Sequence, residues 1–221
     1  VEARREIVRA TVYRPDIAGL LPVYVADRYE GIEARPFNEL DDFELDRYLG
    51  ANVAAVREVA ARAEPDVALA NHLVMGPVIL ARALRDVPYA IKIHGSALEY
   101  IVKPYPEFLP YAVEGLARAC GVLVGSRHTA ESLWATIDDP NLPSRTRLGP
   151  PGVDVDRFAP RGPDAARAGL DALRDRLAAR DDAAPEAAES SFSLRAGEAA
   201  AALATVEPGD RVVVFVGKLI A

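Results

Sequence analysis

"YAIKIHGSALEY", residues Tyr89–Tyr100, opens as an apolar run around Ile91 and Ile93 and breaks into His94, Gly95 and Ser96 where that run stops. Such a run reads as a buried strand, and its neighbours decide which kind of sheet it joins. Upstream, "PDVALA" (65–70) reads as a short strand and "GPVILARAL" (76–84) as a helix with Pro77 in its first turn. Downstream come a helical "PEFLPYAVEGLARAC" (106–120), the apolar strand "GVLVGS" (121–126), the helix "HTAESLWATI" (128–137) and the extended "RTRLGPPG" (145–152). Before all of these, "ANVAAVREVAARA" (51–63) places Val53, Val56, Ala60 and Ala63 on one helical face, and "LLPVYVADRYEGIEARPF" (20–37) reads as two further strands around Glu30-Gly31. Near-continuous apolar strands separated by helices predict an α/β fold with a parallel sheet and helices on both faces.

The bulk numbers agree with that class. Half of the 221 residues are hydrophobic, enough for a sizeable core, and 26 Lys+Arg against 33 Asp+Glu leave a formal charge of −7. With no basic block, a nucleic-acid partner is disfavoured. No apolar stretch approaches the roughly 20 residues that span a bilayer, and the charged Val1 to Ala10 does not read as a signal peptide, so a cytoplasmic location is expected. The single Cys120 excludes an intramolecular disulfide and a cysteine metal cluster, and is expected to be a small buried hydrophobe. The chain stops at Ala221 straight after the strand-like "RVVVFVGKLI", which suggests a piece of something longer.

Between Pro160 and Gly209 the composition shifts to Ala, Arg, Asp and Glu, with Phe192 the one aromatic residue. This reads as a connector with two surface helices, "AARAGLDALRDRLAARDD" (165–182) and "RAGEAAAALATV" (195–206), joined by a turn-like or mobile "AAPEAAESSFS" (183–193). Neither helix can form a core by itself, and the segment is expected to be the least ordered part of the chain. Arg211 to Val216 then begins a new sheet.

In open parallel sheets ligands bind at the carboxyl ends of the strands, where loops converge and helix N-termini point inward. The polar residues collect there: His72 after "DVALAN", His94 after "YAIKI", Ser126, Arg127 and His128 after "GVLVG", and Gly149 to Asp154 after "RTRL". A strand-end histidine can equally bond a loop carbonyl, and Ser126 can be a helix N-cap. The three histidines come from separate strands without paired-ligand spacing, which argues against zinc. "VGSRHT" lacks the second glycine of a nucleophile elbow, and "VGKL" lacks the rest of a Walker loop. In "GPPGVDVDRF" (149–158) two prolines and a glycine stiffen the turn, Val153, Val155 and Phe158 are expected to repack the exit, and Asp154 and Asp156 stay polar. In "VVVFVGKL" Gly217 permits close backbone approach and Lys218 is a point charge suited to phosphate.

Taken in order, "KIHGSALEY", "GVLVGSRHTAESL", "GPPGVDVDRF" and "VVVFVGKLI" resemble the retaining nucleotide-sugar glycosyltransferases of family 4, from about Asp66 to Ala221. Pro151 stands where that family usually has Asn, and the family's opening strand with its glycine-rich loop, its K-G helix start and its glutamate pair are absent. The resemblance implies a GT-B fold: an acceptor-side Rossmann-like domain over 1–159 without its first strand, a connector over 160–209, and a second Rossmann-like domain only begun over 210–221. It implies a catalytic His94, acceptor or cleft residues Gly95, Ser96, Glu99, His72, Ser126 and Arg127, and donor phosphate binding at Gly217 and Lys218. The implied partners are a nucleotide-diphosphate sugar as co-substrate and a hydroxyl acceptor, with no metal required; peripheral membrane contact stays open. Alternatives left open are a GT-B epimerase or phosphorylase, and a non-enzymatic sugar-binding half-domain. As given, the chain is expected to be catalytically silent.

Overall fold

The computed structural model describes residues 11–17, 19–25, 33–179, 195–207 and 209–212, and has the expected α/β character. Four parallel strands, β3 (Ala68–Asn71), β4 (Tyr89–Ile93), β5 (Gly121–Val124) and β6 (Thr146–Leu148), lie side by side in chain order. Register runs Ala70↔Ile91, Ile91↔Val122 and Val122↔Thr146, so one pleat face carries Tyr89, Ile91, Ile93, Val122 and Val124, all buried. Two further strands, β1 (Leu20–Val23) and β2 (Glu33–Pro36), form a separate parallel pair, as expected for the 20–37 segment.

The helices follow from local chemistry. α1 (Asp42–Ala63) begins at Asp42 rather than at Ala51, because Asp41 and Glu44 close a capping box: the Glu44 N–H donates to Asp41 Oδ1 at 2.8 Å and the Asp41 N–H to Glu44 Oε2 at 3.1 Å. Its Leu45, Leu49 and Val53 enter the core beside Phe37. α2 (Gly76–Ala83), α3 (Leu109–Ala117) and α4 (Arg127–Thr136) each link one strand to the next. The "SALEY" segment does not extend β4; it turns into a short π-helix, Leu98–Val102, whose Leu98, Ile101 and Val102 are buried. Leu69, on the opposite pleat face from Ile91, is 57% exposed.

Residues 1–151 and 152–221 form two compact units. In the second, α5 (Pro163–Ala178) packs on α6 (Ala196–Ala204), with Ala196 and Ala200 buried and Arg167 Nη1 donating to the Val206 carbonyl at 2.8 Å. The two helices thus provide a partner for each other. All of "AAPEAAESSFS", and "RVVVFVGKLI" beyond Val212, lie outside the described residues, as do Gly217 and Lys218.

Two expectations are corrected. Cys120 is exposed rather than buried: Ala119 is the last buried residue before it, and Cys120 bonds its backbone N–H to the Tyr89 carbonyl at the sheet margin. Val153, Val155 and Phe158 are 63%, 68% and 69% exposed, so they do not repack the exit from β6. That turn is held by polar bonds, with Asp154 Oδ1 accepting from the backbone N–H groups of Asp156 and Arg157 at 3.2 and 3.0 Å.

Candidate functional site

Because β3 to β6 are parallel and adjacent, their carboxyl ends share one edge of the sheet. That edge gathers His72, His94, Ser126, Arg127 and Gly149 as the sequence places them. β4 delivers His94 to the surface: Ile93 is its last buried residue, and Gly95 takes a φ of +99°, a conformation that a side chain at that position would strain. His94 is exposed, not enclosed by aliphatic side chains, and its Nε2 lies 3.0 Å from Asn71 Oδ1 at the end of β3.

His72, the next residue after β3, has its ring centroid 4.9 Å from that of His94 and 4.3 Å from that of Tyr24. It sits at φ +66°, in the left-handed region, and its Nδ1 is buried with no hydrogen-bond partner among the described residues. Burial first, and then the neighbouring His94, push the His72 pKa below the usual imidazole value. Tyr24 is anchored by a hydroxyl bond to the Val74 carbonyl, and burial together with Tyr48 raises its pKa, so it stays a neutral donor at physiological pH.

The depressed His72 pKa makes a stability prediction. The unfolded chain takes up a proton on this residue near pH 6.5, while the folded chain resists it until lower pH, so stability is full above that range and falls as pH drops through it. His72→Asn, which tolerates the left-handed backbone, should flatten the loss between about pH 7.5 and 5.5 in urea unfolding. Parallel pH profiles for the two proteins would contradict the assignment.

The other sequence-picked residues are differently occupied. Ser126 is the N-cap of α4, accepting from the Thr129 N–H at 3.1 Å, and Arg127 is exposed in the first turn. Ser96 is half-buried in the turn before the π-helix. Glu99 is engaged by Lys103 at 2.7 Å and by the Ser132 hydroxyl at 2.6 Å, bonds that hold its carboxyl below the usual carboxylate range. Three contributors escaped the sequence reading: Asn71, Tyr24 and Lys92, whose Nζ donates to the Gly149 carbonyl and ties the turn after β6 to β4. Asn71 had a signal, since it stands at the same strand end as His72; Tyr24 had none, because its partner Val74 is 50 residues away. Among the described residues no group of three or more His, Cys, Asp or Glu side chains is placed to hold a metal ion, and no helix is long and apolar enough to cross a membrane.

Comparison with known proteins gives one informative match. Over 155 residues the chain is 33% identical to a D-inositol 3-phosphate glycosyltransferase of Geodermatophilus obscurus, an alignment covering 65% of this chain and 34% of that protein. The chain therefore spans about a third of the length of the curated relative it matches. No family model matches, and no solved structure matches.

Proposed function

We propose that the chain is the acceptor-side part of a retaining nucleotide-sugar glycosyltransferase of family 4, with a GT-B architecture, working in the cytoplasm. The observation that carries this reading is His94, presented at the carboxyl end of a parallel strand, solvent-accessible, followed by a left-handed glycine and held by one side-chain bond. The similarity to a glycosyltransferase supports the reaction class.

The chemistry suits such an edge. As the anomeric carbon–oxygen bond to the diphosphate breaks, positive charge grows on the sugar and the acceptor oxygen closes on the same carbon. The site must therefore hold hydroxyl groups in place and offer a polar atom to the developing charge. His94 is assigned to the sugar, with Gly95 permitting its approach; His72 and Ser96 line the acceptor side. The diphosphate is assigned to Gly217 and Lys218 together with a donor domain supplied by further sequence. A single lysine does not hold a diphosphate against water, since an exposed ion pair contributes about 0–1 kcal/mol.

Sugar transfer from UDP, GDP and ADP sugars to a panel of hydroxyl acceptors tests the reading. The complete gene product is expected to turn over, and the 221-residue chain alone to be silent. Repeated turnover by the chain alone would refute the division of labour, and a complete protein that binds sugars without transfer would refute the enzyme.

A further inference from the structure

We infer that Asn71 is a positioning residue that sets the tautomer of His94, so that Nδ1 of His94 is the ring atom that accepts a hydrogen bond from a substrate hydroxyl. The inference deepens the proposed function and rests on it for the identity of the substrate. Its basis is the 3.0 Å contact between His94 Nε2 and Asn71 Oδ1. An amide oxygen can only accept, so Nε2 must donate and carries the ring proton. A neutral imidazole with its proton on Nε2 has one acceptor, the Nδ1 lone pair.

The setting favours this arrangement. Asn71 is the last residue of β3 and lies in register with Lys92 of β4, two residues before His94, so two paired strands fix both partners of the bond. The His72 ring centroid lies 4.9 Å from that of His94, and a second positive charge so close would be opposed. A ring held by one edge and flanked by a neighbouring ring offers a ligand hydroxyl a fixed acceptor. An untethered histidine would have to order its ring and choose its tautomer during binding, which slows a step that depends on placement.

The chain contains only three histidines, so a long-range nitrogen–proton correlation spectrum above the imidazole titration range resolves each ring. The exposed His128 serves as the internal reference. His94 is expected to show the Nε2–H tautomer more completely than His128. Asn71→Ala should bring His94 to the His128 pattern, and Asn71→Asp, which keeps an acceptor oxygen in place, should preserve the parent pattern. An Nδ1–H tautomer in the parent, or no change in Asn71→Ala, would overturn the inference.

In the complete enzyme Asn71→Ala should lower kcat by roughly tenfold or more, with KM for donor and acceptor changed less than about threefold. Unchanged kcat, or a KM effect alone, would equally overturn it. If the parent enzyme transfers no sugar, the proposed function fails, while the tautomer measurement still decides whether Asn71 governs His94.

Discussion

His94→Ala is expected to lower kcat of the complete enzyme by roughly 10²-fold or more while leaving the stability of the fold nearly untouched. The asymmetry follows from where the residue sits. Its side chain is exposed and makes one described hydrogen bond, to Asn71, so truncation removes about 1 kcal/mol or less of stabilisation and leaves no cavity. The buried part of the strand ends one residue earlier, at Ile93. A group positioned for the transition state, by contrast, contributes to the rate far more than to the fold. Turnover and urea unfolding on the same preparation read both effects, and a parallel loss of activity and stability would make His94 a structural residue.

Gly115→Ala should have the largest effect on stability, about 3 kcal/mol, near the upper end of what overpacking costs. A Cβ at this position would lie 2.6 Å from Pro77 Cβ, 2.9 Å from Val78 N and 3.0 Å from Pro77 C. Those atoms are a proline ring and backbone, which cannot swing aside as a flexible side chain would. Helices α2 and α3 are in contact where these residues meet, so the substitution forces them apart. The Gly115 carbonyl also accepts the buried Tyr89 hydroxyl at 2.7 Å, so the first residue of β4 would feel the shift. Gly125→Ala is the control, because its Cβ would meet nothing within 4 Å. Similar urea midpoints for the two variants would contradict the packing argument.

The sheet was legible in the sequence because its strands are short apolar runs bounded by helices, and a parallel sheet demands that pattern. "YAIKI" and "GVLV" needed no tertiary information, and the histidine positions followed once the strands ended. The start of α1 was missed although Leu45 and Leu49 continue the stripe of Val53, because Gly50, a poor helix former, stands between them and the segment read as helix, and the capping box of Asp41 with Glu44 lies a further turn upstream. Cys120 and the Val153 to Phe158 turn were misread for a common reason: residue type sets a preference for burial, while position at the margin of the sheet or in a turn decides whether anything covers it.

The site was legible only in part. Strand ends named His72 and His94, yet the features that give them chemical character are long-range: Asn71 is 23 residues from His94, and Tyr24 stacks on His72 from a separate strand pair. Sequence spacing carries no trace of such contacts. Ser126 and Glu99 illustrate the converse, since polar residues near the strand ends are occupied in capping α4 and in tying the π-helix to Lys103 and Ser132.

The most direct measurement is the anomeric configuration of the product, followed by proton NMR as the complete enzyme consumes a nucleotide sugar of known configuration. A glycoside with the configuration of the donor is expected, formed together with the nucleoside diphosphate. An inverted product, or consumption of the donor without transfer to an acceptor hydroxyl, would contradict it.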